Sequence, residues 1–225
     1  MPSPMILRLV GINHKDPAMR QQLIEWLAAS SAKYGKPGFV AVEWDELIFN
    51  AVKAKRAEFR QLLKQEWPNI SDPLLNTFAL SLGYEGDSHI DVYPNVDILW
   101  LDEGRKEGMG DDDMTKGFVE KCARWRLRDY KAFLGKWPTD SDDSMIMKQI
   151  SDGASKIPKF KPNSRDDKWV NRIVLKSTQT VDCRWAIAII GEGHTRKLNG
   201  TMRSQLENLN YICEVYSLIS SNRSH

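Results

Sequence analysis

The chain has 225 residues, of which 41% are apolar and 28% are charged, the composition of an ordinary globular protein. Its 32 basic and 30 acidic residues leave a net charge of +2, which excludes a strongly basic nucleic-acid-binding domain and an acidic disordered chain. No apolar run reaches the roughly 18 residues that a membrane span needs, so we expect no membrane helix.

The cysteines of the chain lie far apart, at Cys122, Cys183 and Cys213, and no pair has the spacing of a zinc or redox motif. A disulfide framework is therefore not expected, and a reducing compartment is the default. The first residues carry no basic segment ahead of a long apolar run, so we expect no signal peptide. These features predict a cytoplasmic protein.

Short apolar runs alternate with helical patterns along the chain. Strands are predicted at 5–10, 39–42, 96–101, 185–190 and 211–218. Asp16 followed by Pro17 is typical of a helix start, and it opens the first helical pattern. Further helices are predicted at 46–66, 71–82, 119–134, 142–155, 165–176 and 202–209, where apolar residues recur every three or four positions.

The alternation of strands and helices indicates crossover connections and a mainly parallel sheet. Four of the strands are continuous apolar runs, as expected when helices cover both faces of a sheet. The sequence therefore predicts a single α/β domain over residues 1–225, with a mainly parallel central sheet flanked by helices. Residues 109–163 are predicted to be a helical insertion within this domain.

Polar residues follow four of the predicted strands, and ligands of open parallel sheets bind at that edge. Two of the four histidines lie there, each three residues after a glycine: His14 after Gly11 and His194 after Gly191. Glycine lets the backbone turn sharply and approach a ligand closely. The same strand ends contain Glu43, Asp102, Glu103, Arg105 and Gly193.

The residue types at this edge predict a metal site. Two imidazoles and one carboxylate can hold a divalent metal and leave one position for water. We therefore predict His14, Glu43 and His194 as metal ligands. The metal would lower the pKa of its bound water to about 7, which supplies a hydroxide nucleophile at neutral pH.

The charged residues around this predicted site have a second interpretation. Arg105 or Arg165 can neutralise an oxyanion or bind a substrate carboxylate. Glu43, Asp102 and Glu103 can instead stabilise the helix N-termini that follow them, where negative charge is favourable. The predicted substrate-contacting residues are Asp102, Glu103, Arg105, Gly11, Gly191 and Gly193.

Four short segments occur in the order of a known family pattern. They are Gly-Ile-Asn-His at 11–14, Val-Glu-Trp-Asp at 42–45, Ser-Arg-Asp at 164–166 and Gly-Glu-Gly-His at 191–194. Together they resemble the TraB/Tiki-like superfamily, which is related to erythromycin-esterase-like and ChaN-like haem-binding proteins. An arginine of that pattern is matched by Arg56 or Arg60. Ser164 stands where the family has glutamate.

The resemblance extends along nearly the whole chain and implies an α/β fold in which both histidines and the glutamate face one cleft. Some members are similar to metal-dependent peptidases, and others to hydrolases that use histidine and glutamate as acid–base groups without a tightly held metal. ChaN-like members bind haem instead. The resemblance therefore bears on the site more than on the reaction.

Three other functions fit parts of the sequence. Gly191 and Gly193 after a strand suggest dinucleotide binding, but the third glycine of that fingerprint falls at Arg196. The helix at 116–136 is rich in lysine and arginine with interleaved aromatic residues, so nucleic-acid binding is an alternative to a merely solvated face. A non-catalytic protein that binds haem, a metal or a small ligand is the remaining alternative.

The predicted function is hydrolysis of an ester or amide bond in a small molecule or a peptide. His14 and His194 are expected to bind a metal or carry protons, and Glu43 to be a metal ligand or general base. Arg165 is expected to position substrate or stabilise negative charge. The candidate cofactor is a divalent metal whose identity the sequence leaves open, as it does the substrate and the oligomeric state.

Overall fold

The computed structural model describes residues 5–102, 112–139, 142–155, 165–180 and 184–218, with side chains from residue 117 onward in the second range. Within these residues the chain forms one sheet that is covered by helices on both faces. This arrangement confirms the predicted α/β fold.

The described sheet has five strands, and all neighbouring pairs are parallel. The strands are β1 (Ile6–Ile12), β2 (Phe39–Val42), β3 (Asp97–Trp100), β4 (Trp185–Gly191) and β5 (Ile212–Ser217). Their order across the sheet is β3-β2-β4-β1-β5. Because β4 lies between β2 and β1, the residues that follow these three strands meet at one edge of the sheet.

The described α-helices are α1 (Met19–Tyr34), α2 (Glu46–Ala54), α3 (Arg56–Glu66), α4 (Asp72–Leu80), α5 (Asp112–Leu134), α6 (Asp143–Ala154), α7 (Arg165–Gln179) and α8 (Met202–Asn208). Side-chain caps fix several helix starts. The Asp45 carboxylate accepts hydrogen bonds from two backbone N–H groups at the start of α2, and Ser71 and Asp142 accept one each in α4 and α6. Short 3₁₀ turns at Tyr84–Gly86 and Glu192–Thr195 carry residues of the candidate site.

The sheet strands are apolar on both faces because each face is packed against helices. On one face, side chains of α7 and α8 form a core with the inner strands, including Trp169, Ile173, Met202 and Leu206. On the other face, α1 contributes Met19, Leu23 and Leu27. Each fully buried side chain of this kind contributes about 1.5–3 kcal/mol of transfer free energy.

A third core lies among the helices at the side of the sheet, where α5 and α6 pack with α2, α3 and α4. Its buried side chains include Phe59 of α3, Phe78 of α4, Tyr130 of α5 and Ile150 of α6. Both α5 and α6 fall within the predicted insertion at 109–163. The described helices of this region therefore pack onto the preceding helices, and α5 provides one wall of the cleft described below.

Predicted and observed helices differ mainly at three places, one of which is that α5 begins at Asp112 and not at residue 119. Residues 46–66, predicted as one helix, form the two helices α2 and α3. The Lys55 N–H donates to the Val52 carbonyl oxygen, three residues back, at 3.1 Å, and this bond interrupts the regular i to i−4 hydrogen bonding of an α-helix. The first helix begins at Met19, and Asp16 does not cap it in the usual position. The Asp16 carboxylate instead accepts hydrogen bonds from the Ala18 N–H at 3.0 Å and the Ser151 hydroxyl at 2.8 Å.

None of the described helices combines the length and the apolar character that a membrane span requires.

Candidate active site

His14 follows β1 and is held by two carboxylates. Its Nδ1 lies 2.8 Å from Glu85 Oε1 and its Nε2 lies 3.4 Å from Glu43 Oε2. The His14 side chain is 35% exposed, so a ligand can reach it. Burial disfavours the charged imidazolium, but the carboxylates of Glu85 and Glu43 outweigh burial and raise the pKa of His14 to about 10.

Glu43 follows β2, and its carboxylate is the centre of the polar groups at this edge. Arg165 Nη2 donates a hydrogen bond to Glu43 Oε1 at 2.8 Å, and the Gly191 backbone N–H donates to Oε2 at 2.7 Å. Burial alone would raise the pKa of Glu43, but the facing His14, Arg165 and His194 lower it to about 2. Glu43 is therefore a carboxylate at neutral pH.

Arg165, the first residue of α7, connects Glu43 to Asp102. Its Nη1 donates to Asp102 Oδ2 at 3.1 Å, and its guanidinium lies 4.9 Å from the centre of the Trp169 ring. Trp169 Nε1 in turn donates to Asp102 Oδ1 at 2.9 Å. Both oxygens of Asp102 are thus bonded, and the guanidinium is fixed between two buried carboxylates.

His194 lies in the 3₁₀ turn after β4 and is buried below this network. Its Nδ1 is hydrogen-bonded to Asp166 Oδ1, and its ring packs on Trp169 with 4.6 Å between ring centres. Its Nε2 lies 3.9 Å from Glu43 Oε1, and only 5% of the side chain is exposed. The structure thus brings His14, Glu43 and His194 together at one edge of the sheet, as the strand order requires.

The three predicted glycines do not line the cleft, but Gly191 leaves room for side chains of the site and Gly11 leaves room for Glu192. A Cβ atom at Gly191 would stand 3.1 Å from His14 Nε2 and 3.2 Å from Glu43 Oε2, closer than side chains normally pack. A Cβ atom at Gly11 would collide with the Glu192 carboxylate. Gly193 lies in the 3₁₀ turn that carries His194.

Glu85 and Asp166 are the site residues that sequence reasoning missed as functional groups. Glu85 lies in a 3₁₀ turn of the 83–95 segment, which the sequence patterns leave without a predicted role. Asp166 belongs to the quoted Ser-Arg-Asp segment, whose arginine alone was assigned a role. A buried acid near a histidine is the available signal, but sequence alone does not reveal which of the 30 acidic residues is buried.

The remaining predicted residues are not part of this described network. Glu103 and Arg105 are outside the residues that the structure describes. Arg56 donates hydrogen bonds to Asp87 and to the Leu82 carbonyl, and Arg60 donates to Asn76, so neither arginine takes part in the Glu43 network.

His14, Glu43, Asp102 and Arg165 line one side of a cleft of about 270 Å³. Helices α2 and α5 and the chain after α4 form the opposite wall. The lining residues of these elements are Val52, Leu82, Gly83, Phe118, Cys122 and Trp125, together with the charged Arg126 and Asp129 of α5. The cleft therefore has a polar floor at the sheet edge and a mostly apolar opposite wall, which is the usual composition of a small-molecule site.

The contacts of Glu43 bear on whether it could hold the predicted metal together with His14 and His194. The Nε2 atoms of His14 and His194 approach opposite oxygens of Glu43, but each oxygen already accepts a hydrogen bond, one of them from the Arg165 cation. Among the residues with described side chains, no group of three or more histidine, cysteine, aspartate or glutamate residues is arranged to hold a metal. The metal therefore stays a prediction.

The basic face of α5 points away from the cleft. Lys121, Arg124, Arg128 and Lys131 are all exposed. Lys131 pairs with Glu66 at 3.1 Å. Nucleic-acid binding through this face stays a prediction.

Comparisons with known proteins add no assignment to this geometry. The chain matches no protein-family model, no curated protein and no solved structure. The resemblance to the TraB/Tiki-like superfamily, which depends on short segments, therefore stays a prediction.

Proposed function

We propose that the protein is a hydrolase that cleaves an ester or amide bond, with Glu43 and His14 as its acid–base pair. One observation carries the proposal: His14 Nε2 and Glu43 Oε2 lie 3.4 Å apart on the floor of a cleft, and further polar groups fix both side chains. The proposal includes the predicted TraB/Tiki-like membership and the predicted cytoplasmic location.

The two side chains have complementary protonation states at neutral pH. Glu43 is a carboxylate because its pKa is lowered to about 2, and His14 is an imidazolium because its pKa is raised to about 10. Glu43 takes a proton from water as the water oxygen bonds to the substrate carbonyl carbon. His14 gives its proton to the alcohol or amine that leaves, and a proton then passes from Glu43 back to His14. Positioned acid–base groups contribute about 10²–10⁴ in rate, and the low pKa of Glu43 and the high pKa of His14 place this pair toward the lower figure.

Arg165 supplies the positive charge that the reaction needs. Negative charge develops on the carbonyl oxygen when water adds, and a fixed guanidinium stabilises it without reorganisation. The Arg165 side chain is about one third exposed and lines the cleft, while Asp102 and Glu43 hold it in place. His194 supports this network: its ring packs beneath it, and its Nε2 faces Glu43.

A metal-dependent form of the same hydrolase is the second candidate. It is favoured by the Nδ1 atoms of both histidines, which are held by Glu85 and Asp166, because metal-binding histidines commonly make such outer contacts. Elemental analysis of untagged protein tests this form. Metal that is present in the parent and absent from His14→Gln would support it, and full activity in a strong chelator would contradict it.

Hydrolysis of a panel of p-nitrophenyl esters and anilides tests the proposal directly. We expect His14→Gln and Glu43→Gln each to reduce kcat/KM by about 10²–10⁴-fold while circular dichroism shows a folded protein. Glu58→Gln, an acid on α3 outside the cleft, is the matched control and should retain full activity. Unchanged kcat/KM in both site variants would contradict the proposal, as would a Soret band on haem addition without hydrolysis of any panel member.

A further inference from the structure

We propose that the cleft selects an electrically neutral ester or amide with a small apolar acyl or aryl group, and that this group packs against Phe118, Trp125 and Leu82. The inference rests on the proposed hydrolase function and specifies its substrate class. It is carried by the apolar wall, the pairing of the charges in the cleft and the size of the cleft.

The wall opposite the catalytic groups is apolar and aromatic. Phe118 and Trp125 lie on the same face of α5. Their rings meet edge to face, with 5.6 Å between ring centres and 70° between ring planes. Leu82 and Val52 continue the wall from the neighbouring helical segments. Trp125 is 39% exposed although it borders the cleft, so an apolar ligand there would remove aromatic surface from water.

The charged side chains that line the cleft have partners within the protein. The ion pairs are Lys15–Asp129, His14–Glu43, His14–Glu85, Arg165–Glu43 and Arg165–Asp102. Arg126 donates a hydrogen bond to the carbonyl oxygen of His14. A charged substrate group would have to displace one of these partners and lose its own hydration, whereas a neutral group would not.

The size of the cleft limits the group that it can hold. Its volume of about 270 Å³ lies just below the roughly 300–1,000 Å³ of drug-sized ligand sites. A short alkyl chain or one aromatic ring therefore fits between the wall and His14. A long acyl chain would extend past Trp125 into solvent.

A homologous series of p-nitrophenyl esters tests the inference. From acetate to butyrate, we expect kcat/KM to rise by up to about fourfold for each methylene buried against the wall. In Phe118→Ala and Trp125→Ala this increment should fall below about twofold, because the methylenes then remain partly hydrated. Leu175→Ala removes an exposed leucine on α7 and is the matched control, which should keep the full increment. A flat series in the wild-type protein would overturn the inference.

A charged ester and a binding measurement separate this inference from the proposed function. The hemisuccinate ester, similar in length to a short acyl ester but anionic, should be hydrolysed at least about tenfold less efficiently than the butyrate; faster cleavage would overturn the inference. Calorimetric titration with butyrophenone, which is neutral and inert to hydrolysis, should show binding that Trp125→Ala weakens. Binding without hydrolysis of any ester would sustain the cleft assignment and contradict the hydrolase. Hydrolysis without chain-length dependence would sustain the hydrolase and contradict the cleft assignment.

Discussion

The two histidines of the site share a local arrangement but lie in different surroundings. Each binds a carboxylate through Nδ1, His14 to Glu85 and His194 to Asp166, and each directs Nε2 toward Glu43. The His14 side chain is 35% exposed and borders the cleft, whereas that of His194 is 5% exposed. The same pairing therefore occurs once where a ligand can reach the imidazole and once within the core.

The difference comes from what packs on each pair. His194 lies under α7, where Trp169 covers its ring and Asp166 is fully buried. His14 extends from a strand end into the space between the sheet and α5, and among the described residues its side chain stays 35% exposed. Burial by α7, which comes from a distant part of the sequence, thus decides which imidazole borders the cleft.

Replacement of the buried histidine should have the largest effect on stability. His194→Ala leaves the Asp166 carboxylate buried without its partner, and breaking a buried pair costs about 3–5 kcal/mol. At about 2–4 °C per kcal/mol for a chain of this size, the Tm should fall by roughly 6–20 °C. Thermal unfolding followed by circular dichroism measures this loss, and His14→Gln should lower the Tm by less than half as much.

A double variant checks the cause of that loss. Removing the charge together with its partner, in His194→Ala with Asp166→Asn, should recover part of the lost Tm because no uncompensated carboxylate remains. Equal Tm losses in His14→Gln and His194→Ala would remove the distinction between the two pairs. No recovery in the double variant would assign the loss to packing against Trp169 instead.

Replacement of Arg165, which joins Glu43 to Asp102, should lower kcat more than it lowers the free energy of unfolding. Lysine carries one nitrogen donor centre and cannot bind Glu43 and Asp102 through two arms as Arg165 does. We expect Arg165→Lys to lower kcat by about 10²–10³-fold, the usual cost of losing a donor to a developing oxyanion. Arg172→Lys on the same helix is the control. A kcat within twofold of wild type would show that Arg165 only fixes Glu43.

Sequence patterns located the strands and assigned His14, Glu43 and His194 to the ends of three of them. These three residues meet because β2, β4 and β1 are neighbours in the sheet, a strand order that the patterns did not give. The patterns could not show that Glu85 supports His14, because the 83–95 segment has no periodicity that marks a buried acid. They also could not show the break at Lys55, since both halves of 46–66 continue one apolar stripe.

The pH dependence of stability is the smallest expected effect, and it tests the charge states of His14 and Glu43. The folded-state pKa of His14 is about 10 against 6.5 unfolded, so its stabilisation is complete below about pH 6.5 and is lost as pH rises through 10. The pKa of Glu43 is about 2 against 4.5 unfolded, so its contribution is present above pH 4.5 and is lost as pH falls toward 2.

The unfolding free energy of the wild type should therefore exceed that of His14→Gln most between about pH 4.5 and 6.5, by roughly 1–3 kcal/mol. Urea titrations at pH 5.5, 7.5 and 9.5 should show this difference shrinking stepwise at unchanged denaturant slope. A difference that grows toward pH 9.5 would mean that His14 is neutral in the folded protein, and the proton it gives to the leaving group would then have to come from elsewhere.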